Sequence, residues 1–190
     1  MKKRSTALML ALVLVVGIAV GGTLAWLQDY TQSIKNTFTI GMVDIDLTET
    51  GASNGAKSFK MSPGKVLDKD PKVTVNAGSD ACWLFVKIDE SANLKTFIEY
   101  SVDSAWAPLD GVNGVYYIQV DTANATSGKT YSVLTGDKVT VKSDVTNEKT
   151  AGLNEQTYPN MTFTAYAIQQ EGFASASAAW TELKTQFSIA

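Results

Sequence analysis

The chain has no histidine among its 190 residues, and only one cysteine, one arginine and four prolines. The missing imidazole excludes Ser-His-Asp and Cys-His nucleophile systems, HExxH zinc sites and most catalytic zinc geometries, because each uses it as base or ligand. A single thiol, Cys82, leaves no intrachain disulfide, so stability has to come from packing. Cys82 lies in the apolar run Ala81-Cys82-Trp83-Leu84-Phe85-Val86, where a buried, inert thiol is expected. Arg4 is the lone arginine, and without a concentrated positive field no nucleic-acid partner is expected. Neither GxGxxG nor a GxxxxGKS or GxxxxGKT phosphate loop occurs, so nucleotide binding finds no support and no cofactor is expected.

What is present begins with Lys2, Lys3 and Arg4, an apolar run from Ala7 to Val16, and a small-residue close through Gly17, Gly21, Gly22 and Thr23-Leu24-Ala25. Basic, apolar, then small is the order of a secretory signal, and it predicts residues 1–25 as a signal peptide cut at Ala25-Trp26. The competing reading is a permanent anchor, since nothing charged lies between Arg4 and Asp29 and roughly 20 apolar residues cross a bilayer. On the signal reading the membrane is met only through residues 1–25. Losing the three basic residues of the signal takes the charge balance from 16 against 19 to 13 against 19, a net of −6. The remainder has the length of one domain.

Residues 26–36 read as an aromatic-rich arm carrying Trp26, Leu27, Tyr30 and Ile34, too short to fold alone. Residues 37–190 read as a single β domain. Phe38, Ile40 and Met42 share one face of the next run, and beyond Gly41 the apolar phase passes to Val43, Ile45 and Leu47, as at a β-bulge. Short strands follow, with breaks at Gly51 to Gly55, Ser62-Pro63-Gly64, Ala77 to Asp80, Asp110-Gly111 and Asn113-Gly114. Ser58 to Met61 fits a short strand, Cys82 to Ile88 a central strand covered on both faces, Thr122 to Thr130 a polar surface loop, and Met161 to Gln169 a long strand. Ala176, Ala179, Trp180, Leu183 and Phe187 form the stripe of an amphipathic helix, expected to cap an open end of the core. The sum predicts an all-β fold: an antiparallel two-sheet, jelly-roll-like sandwich with a short C-terminal helix.

Several motifs invite chemistry and are read as structural. Asp44 with Asp46, and Asp68 with Asp70, suggest calcium, yet neither pair follows the EF-hand spacing, and no metal is expected. Asn124-Ala125-Thr126 and Asn160-Met161-Thr162 match the N-glycosylation triplet, which the bacterial character of the export signal leaves as chance. The Trp180-Leu183-Phe187 stripe suits a partner groove as well as the core. The chain closes on Phe187-Ser188-Ile189-Ala190 without the charged tail of a wall-sorting signal.

The stretch from Gly22 to Glu49, GTLAWLQDYTQSIKNTFTIGMVDIDLTE, resembles the opening of the TasA/camelysin family of exported proteins from Gram-positive bacteria. Shorter pieces extend the resemblance: Lys60 to Gly64, Lys69 to Val75, Leu134 to Val139, Phe163 to Gln169 and Glu171 to Phe173. The resemblance implies a SipW-type signal peptidase cutting at Ala25-Trp26 and a jelly-roll subunit of biofilm-matrix fibres. It also implies donor-strand exchange, in which the arm of one subunit completes a sheet of another copy or a related subunit. The secreted product then sits in the extracellular matrix or at the cell surface and is not an enzyme. Two other readings stand beside it: a monomeric adhesin or carbohydrate-binding module, and a camelysin-type metalloprotease, against which the missing histidine counts.

Overall fold

A period of two recurs along the sequence, and short strands form where it does. The computed structural model describes residues 42–52 and 57–189. The strands are β1 Ile45–Thr48, β2 Val66–Asp68, β3 Lys72–Val75, β4 Cys82–Glu90, β5 Ile98–Glu99, β6 Ala107–Pro108, β7 Val115–Val120, β8 Lys129–Ser132, β9 Lys138–Val141 and β10 Met161–Gln169. Short helices α1 Leu94–Phe97, α2 Thr122–Ser127 and α3 Asn147–Thr150 interrupt them, and α4 Ala176–Phe187 follows β10. Every strand pair among the described residues is antiparallel. No helix among them is long and apolar enough to cross a membrane.

Three hydrogen-bonded sheets result, in the orders β1-β3-β8, β2-β9-β5 and β10-β4-β7-β6. The first two are halves of one bent layer. Lys69 N donates to Asp137 O and Val133 N to Pro71 O, each at 2.9 Å, so the ladder of β2 and β9 runs on into that of β3 and β8. Between the paired ends Asp68↔Lys138 and Lys72↔Ser132, residues 133–137 oppose only residues 69–71. The surplus is taken up as a bulge, a turn at Thr135–Asp137 with Gly136 at φ 65° and Asp137 at φ 57°. Pro71, which has no N–H to give a ladder, sits at the break.

β4 is the spine. Its even residues, Leu84, Val86 and Ile88, enter a core shared with Val73, Val75, Leu134 and Val141 from the bent layer. Its odd residues Trp83 and Phe85 enter a second cluster with Val115 and with Ala179, Trp180 and Leu183 of α4. Leu84, Phe85 and Val86 are wholly buried, as expected of a strand covered on both faces, and each such side chain contributes about 1.5–3 kcal/mol of hydrophobic stabilisation.

Local chemistry departs from the sequence reading in three places. The expected loop from Thr122 contains a helix, because Asp121 caps it by accepting from Asn124 N at 2.8 Å and Ala125 is buried beneath it; Gly128, at φ 79°, ends it. Ser58 to Met61 forms no strand; Phe59 and Met61 pack against the core from irregular backbone. The last helix lies over the outer face of the β4 sheet instead of closing an end, since its stripe meets Trp83, Phe85 and Tyr166. Ser175 starts it by accepting from Ala178 N at 3.2 Å. Phe187, at the end of the stripe, stays 61% exposed.

Candidate functional site

Nine residues, Met-Thr-Phe-Thr-Ala-Tyr-Ala-Ile-Gln, build β10, and threonine, aromatic and branched side chains give it strand character. It pairs with β4 from Met161↔Glu90 to Gln169↔Cys82. At either end of that register, Ser91 N donates to Asn160 O and Gln170 N to Ala81 O. In an antiparallel ladder, hydrogen-bonded pairs alternate with unbonded ones, so the even residues of β10 bond β4. The N–H and C=O groups of Met161, Phe163, Ala165, Ala167 and Gln169 therefore point away from it. Among the described residues no strand pairs with that outer edge.

The side chains match an unfinished edge. Met161, Phe163, Ala165 and Ala167 turn toward the main core and Tyr166 and Ile168 toward the second cluster. All are half-buried, whereas the β4 partners of all but Met161 are buried. Long edges with apolar faces are templates for a further strand, which is why proteins usually shorten or charge them. Ala165 and Ala167 are small side chains on the core side, and β1, at the rim of the bent layer, is in contact with β10.

Each end of β10 has its own character. At the Met161 end lies a groove of about 780 Å³, walled by Phe59, Met61, Leu94, Ile98, Leu153 and Met161, with Asn147, Thr150 and Asn160 among its polar lining. Beside it Lys69, only 7% exposed, places Nζ 2.8 Å from Glu49 Oε2 and over the rings of Phe59 and Phe163, at 5.5 and 5.1 Å. Cation and carboxylate neutralise each other, and the rings replace part of the lost hydration. Glu49 Oε1 is buried and, among the described residues, accepts no hydrogen bond; Lys57 Nζ stands 4.0 Å away.

At the Gln169 end the surface is acidic. Asp80 Oδ2 accepts from Gln169 Nε2 at 2.9 Å and from Met42 N at 3.0 Å, which ties the start of the described chain to the end of β10. Asn76 Nδ2 donates to both Asp44 Oδ2 and Asp46 Oδ2 at 3.0 Å. Those two carboxylates thus brace the β1–β3 connection. At the other end, beside Lys69 and Glu49, Asp70 accepts from Thr50 Oγ1 at 2.7 Å and from Thr50 N at 3.1 Å. The hydroxyl bond comes first in holding its carboxyl below the ordinary range, helped by Lys57 and Lys72. No group of three or more potential metal-ligating side chains comes together among the described residues.

The cleavage residues Ala25 and Trp26 and the arm residues Trp26, Leu27, Tyr30 and Ile34 lie outside the described residues. Cys82 is fully buried, and burial pushes its thiol up to about 11. Asn124 sits in α2 and Asn160 at the rim of the groove. Sequence reasoning located β10 but missed its open edge, for which the alternating alanines 165 and 167 were the available signal. Nothing local in the sequence marks Lys69 for burial.

No family model, no curated protein and no solved structure matches the chain.

Proposed function

We propose that this chain is a structural, non-enzymatic subunit of an extracellular biofilm-matrix fibre, secreted behind residues 1–25 and freed by a SipW-type signal peptidase at Ala25-Trp26. Its arm, residues 26–36, completes a sheet of the next copy or of a related subunit. The folded part is read as a jelly-roll-like sandwich of two sheets. Joining the bent halves gives four columns of strand, β1, β2 with β3, β9 with β8, and β5, against the four strands of the β10 sheet, and eight strands in two sheets is the jelly-roll count.

The observation that carries the reading is the outer edge of β10, nine residues long, with half-buried apolar side chains on both faces and without a strand partner among the described residues. A donated strand would satisfy its backbone groups and cover its half-buried side chains, as β-strand addition does elsewhere. Trp26, Tyr30 and Ile34 recur every four residues, so an extended arm presents all three on one face. Donor and acceptor are different surfaces, so the contact propagates head to tail instead of closing on itself.

Electron microscopy decides the matter. Protein beginning at Trp26 is expected to form filaments, and protein lacking Trp26–Ile34 to stay monomeric. Filaments from the shortened protein overturn the reading.

A further inference from the structure

An arm that docks on β10 must choose a direction, and the side chains along the strand are not symmetric. Trp26–Ile34 and Met161–Gln169 are each nine residues long, so the two strands match end to end either way, with Tyr30 opposite Ala165 at the centre in both. Resting on the donor-strand reading above, we infer that the arm lies parallel to β10 of the next copy. Trp26 then fills the groove at the Met161 end and Lys35 reaches the acidic surface at the Gln169 end.

Charge separates the two directions. Residues opposite one another on neighbouring strands point to the same face. In the parallel register Asp29 lies opposite Thr164, in the row that continues to Lys87. In the antiparallel register Asp29 lies opposite Tyr166, whose row continues to Phe85 under Trp180. A carboxylate among aromatic rings loses hydration with nothing to replace it, whereas in the Thr164 row it meets a hydroxyl and, beyond it, Lys87, which also pairs with Asp89 at 3.0 Å. The antiparallel register would offer Leu27 the side chain of Ile168, and one apolar contact does not offset a stranded charge.

The two ends agree with that direction. Lys35 falls one residue beyond Gln169, near Asp80 and Glu171, while reversal would carry it to the end where Glu49 already has Lys69 and Lys57 as its cationic neighbours. Trp26, the largest side chain of the arm, meets the groove of about 780 Å³ at the Met161 end, and Asn147, Thr150 and Asn160 there offer oxygen acceptors to an indole N–H. Opposite Phe163 comes Gln28, whose amide can donate to Glu49 Oε1, the buried acceptor beside Lys69. The remaining seven residues, Lys35–Gly41, bridge up to about 23 Å between copies.

Paired cysteines in mixtures of singly substituted proteins beginning at Trp26 test this, because only contacts between copies give a dimer. Tyr30→Cys mixed with Ala165→Cys is expected to give a disulfide dimer on a non-reducing gel. Leu27→Cys is expected to give one with Thr162→Cys and none with Ile168→Cys, since cross-linking demands close Cβ atoms. A dimer with Ile168→Cys instead overturns the direction while leaving donor-strand assembly standing. Filaments without a dimer in any mixture overturn β10 as the acceptor, as does a chain carrying both Tyr30→Cys and Ala165→Cys that closes only on itself. Absence of filaments from the unsubstituted protein removes the underlying reading. Ala165→Pro adds an independent check. The Ala165 N–H points away from β4, so the variant is expected to melt like protein lacking Trp26–Ile34 and to lose its filaments; filaments formed by Ala165→Pro count against the edge.

Discussion

Two side chains show how burial and exposure set opposite chemical fates. Cys82 is enclosed on β4, and the same enclosure that pushes its thiol up to about 11 denies reagents access to it. At about pH 8, folded protein is therefore expected to leave a thiol reagent unconsumed, and protein in denaturant to consume one equivalent; rapid reaction of folded protein would place the thiol elsewhere. Asp70 works through a hydrogen bond at the surface instead. Because Thr50 holds its folded-state pKa below the unfolded value of about 3.9, the Asp70 contribution to stability is complete above that value. It is lost as pH falls through the folded value. Asp70→Asn should then lower the urea midpoint at about pH 6, with the gap from the parent closing as the pH drops through 4 and below. A gap that widens in acid contradicts the assigned shift.

Among the elements, α4 makes the clearest energetic case. Trp180 brings its ring within 5.2 Å of Phe85 and 5.6 Å of Tyr166, yet its Nε1 is buried without a hydrogen-bond partner among the described residues. Trp180→Ala should cost about 3–5 kcal/mol in chemical denaturation. Trp180→Phe keeps an aromatic ring and removes the unsatisfied donor, so its cost should stay within about 1.5 kcal/mol; equal losses for the two would mean that the N–H is bonded after all. The helix itself is legible in the sequence because its stripe repeats at helical spacing, whereas the surface it meets is not. Both faces of β4 are apolar, and only the assembled sheet shows that Trp83 and Phe85 face a helix while Leu84 and Val86 face strands. The same limit hid α2, made by Asp121 and Gly128 at its two ends and not by periodicity. It also hid the division of one layer at Pro71, because a bulge depends on the count of residues in a partner strand sixty positions away. The candidate site was half legible: Met161–Gln169 reads as a strand from its own residues, but an edge is a property of what does not lie beside it.

At the scale of the whole molecule, the outer edge of β10 has no strand partner among the described residues. If the arm is the missing strand, binding it and folding are linked. A ligand that binds only the folded state stabilises it by about 2.7 kcal/mol at a hundred times its dissociation constant. For a domain of this size that corresponds to a rise of roughly 5–10 °C in melting temperature. A synthetic peptide of Trp26 to Lys35, added to protein lacking the arm, should produce such a rise with increasing concentration. A scrambled peptide of the same composition should not, since apolar content alone would then be the cause. Adding Ala165→Pro to the armless protein should abolish the rise without lowering the starting temperature, because the substitution removes an N–H that only a docked strand would use. Were the peptide to stabilise both proteins equally, the seam would lie on another edge, and β10 would owe its half-buried faces to something other than a waiting strand.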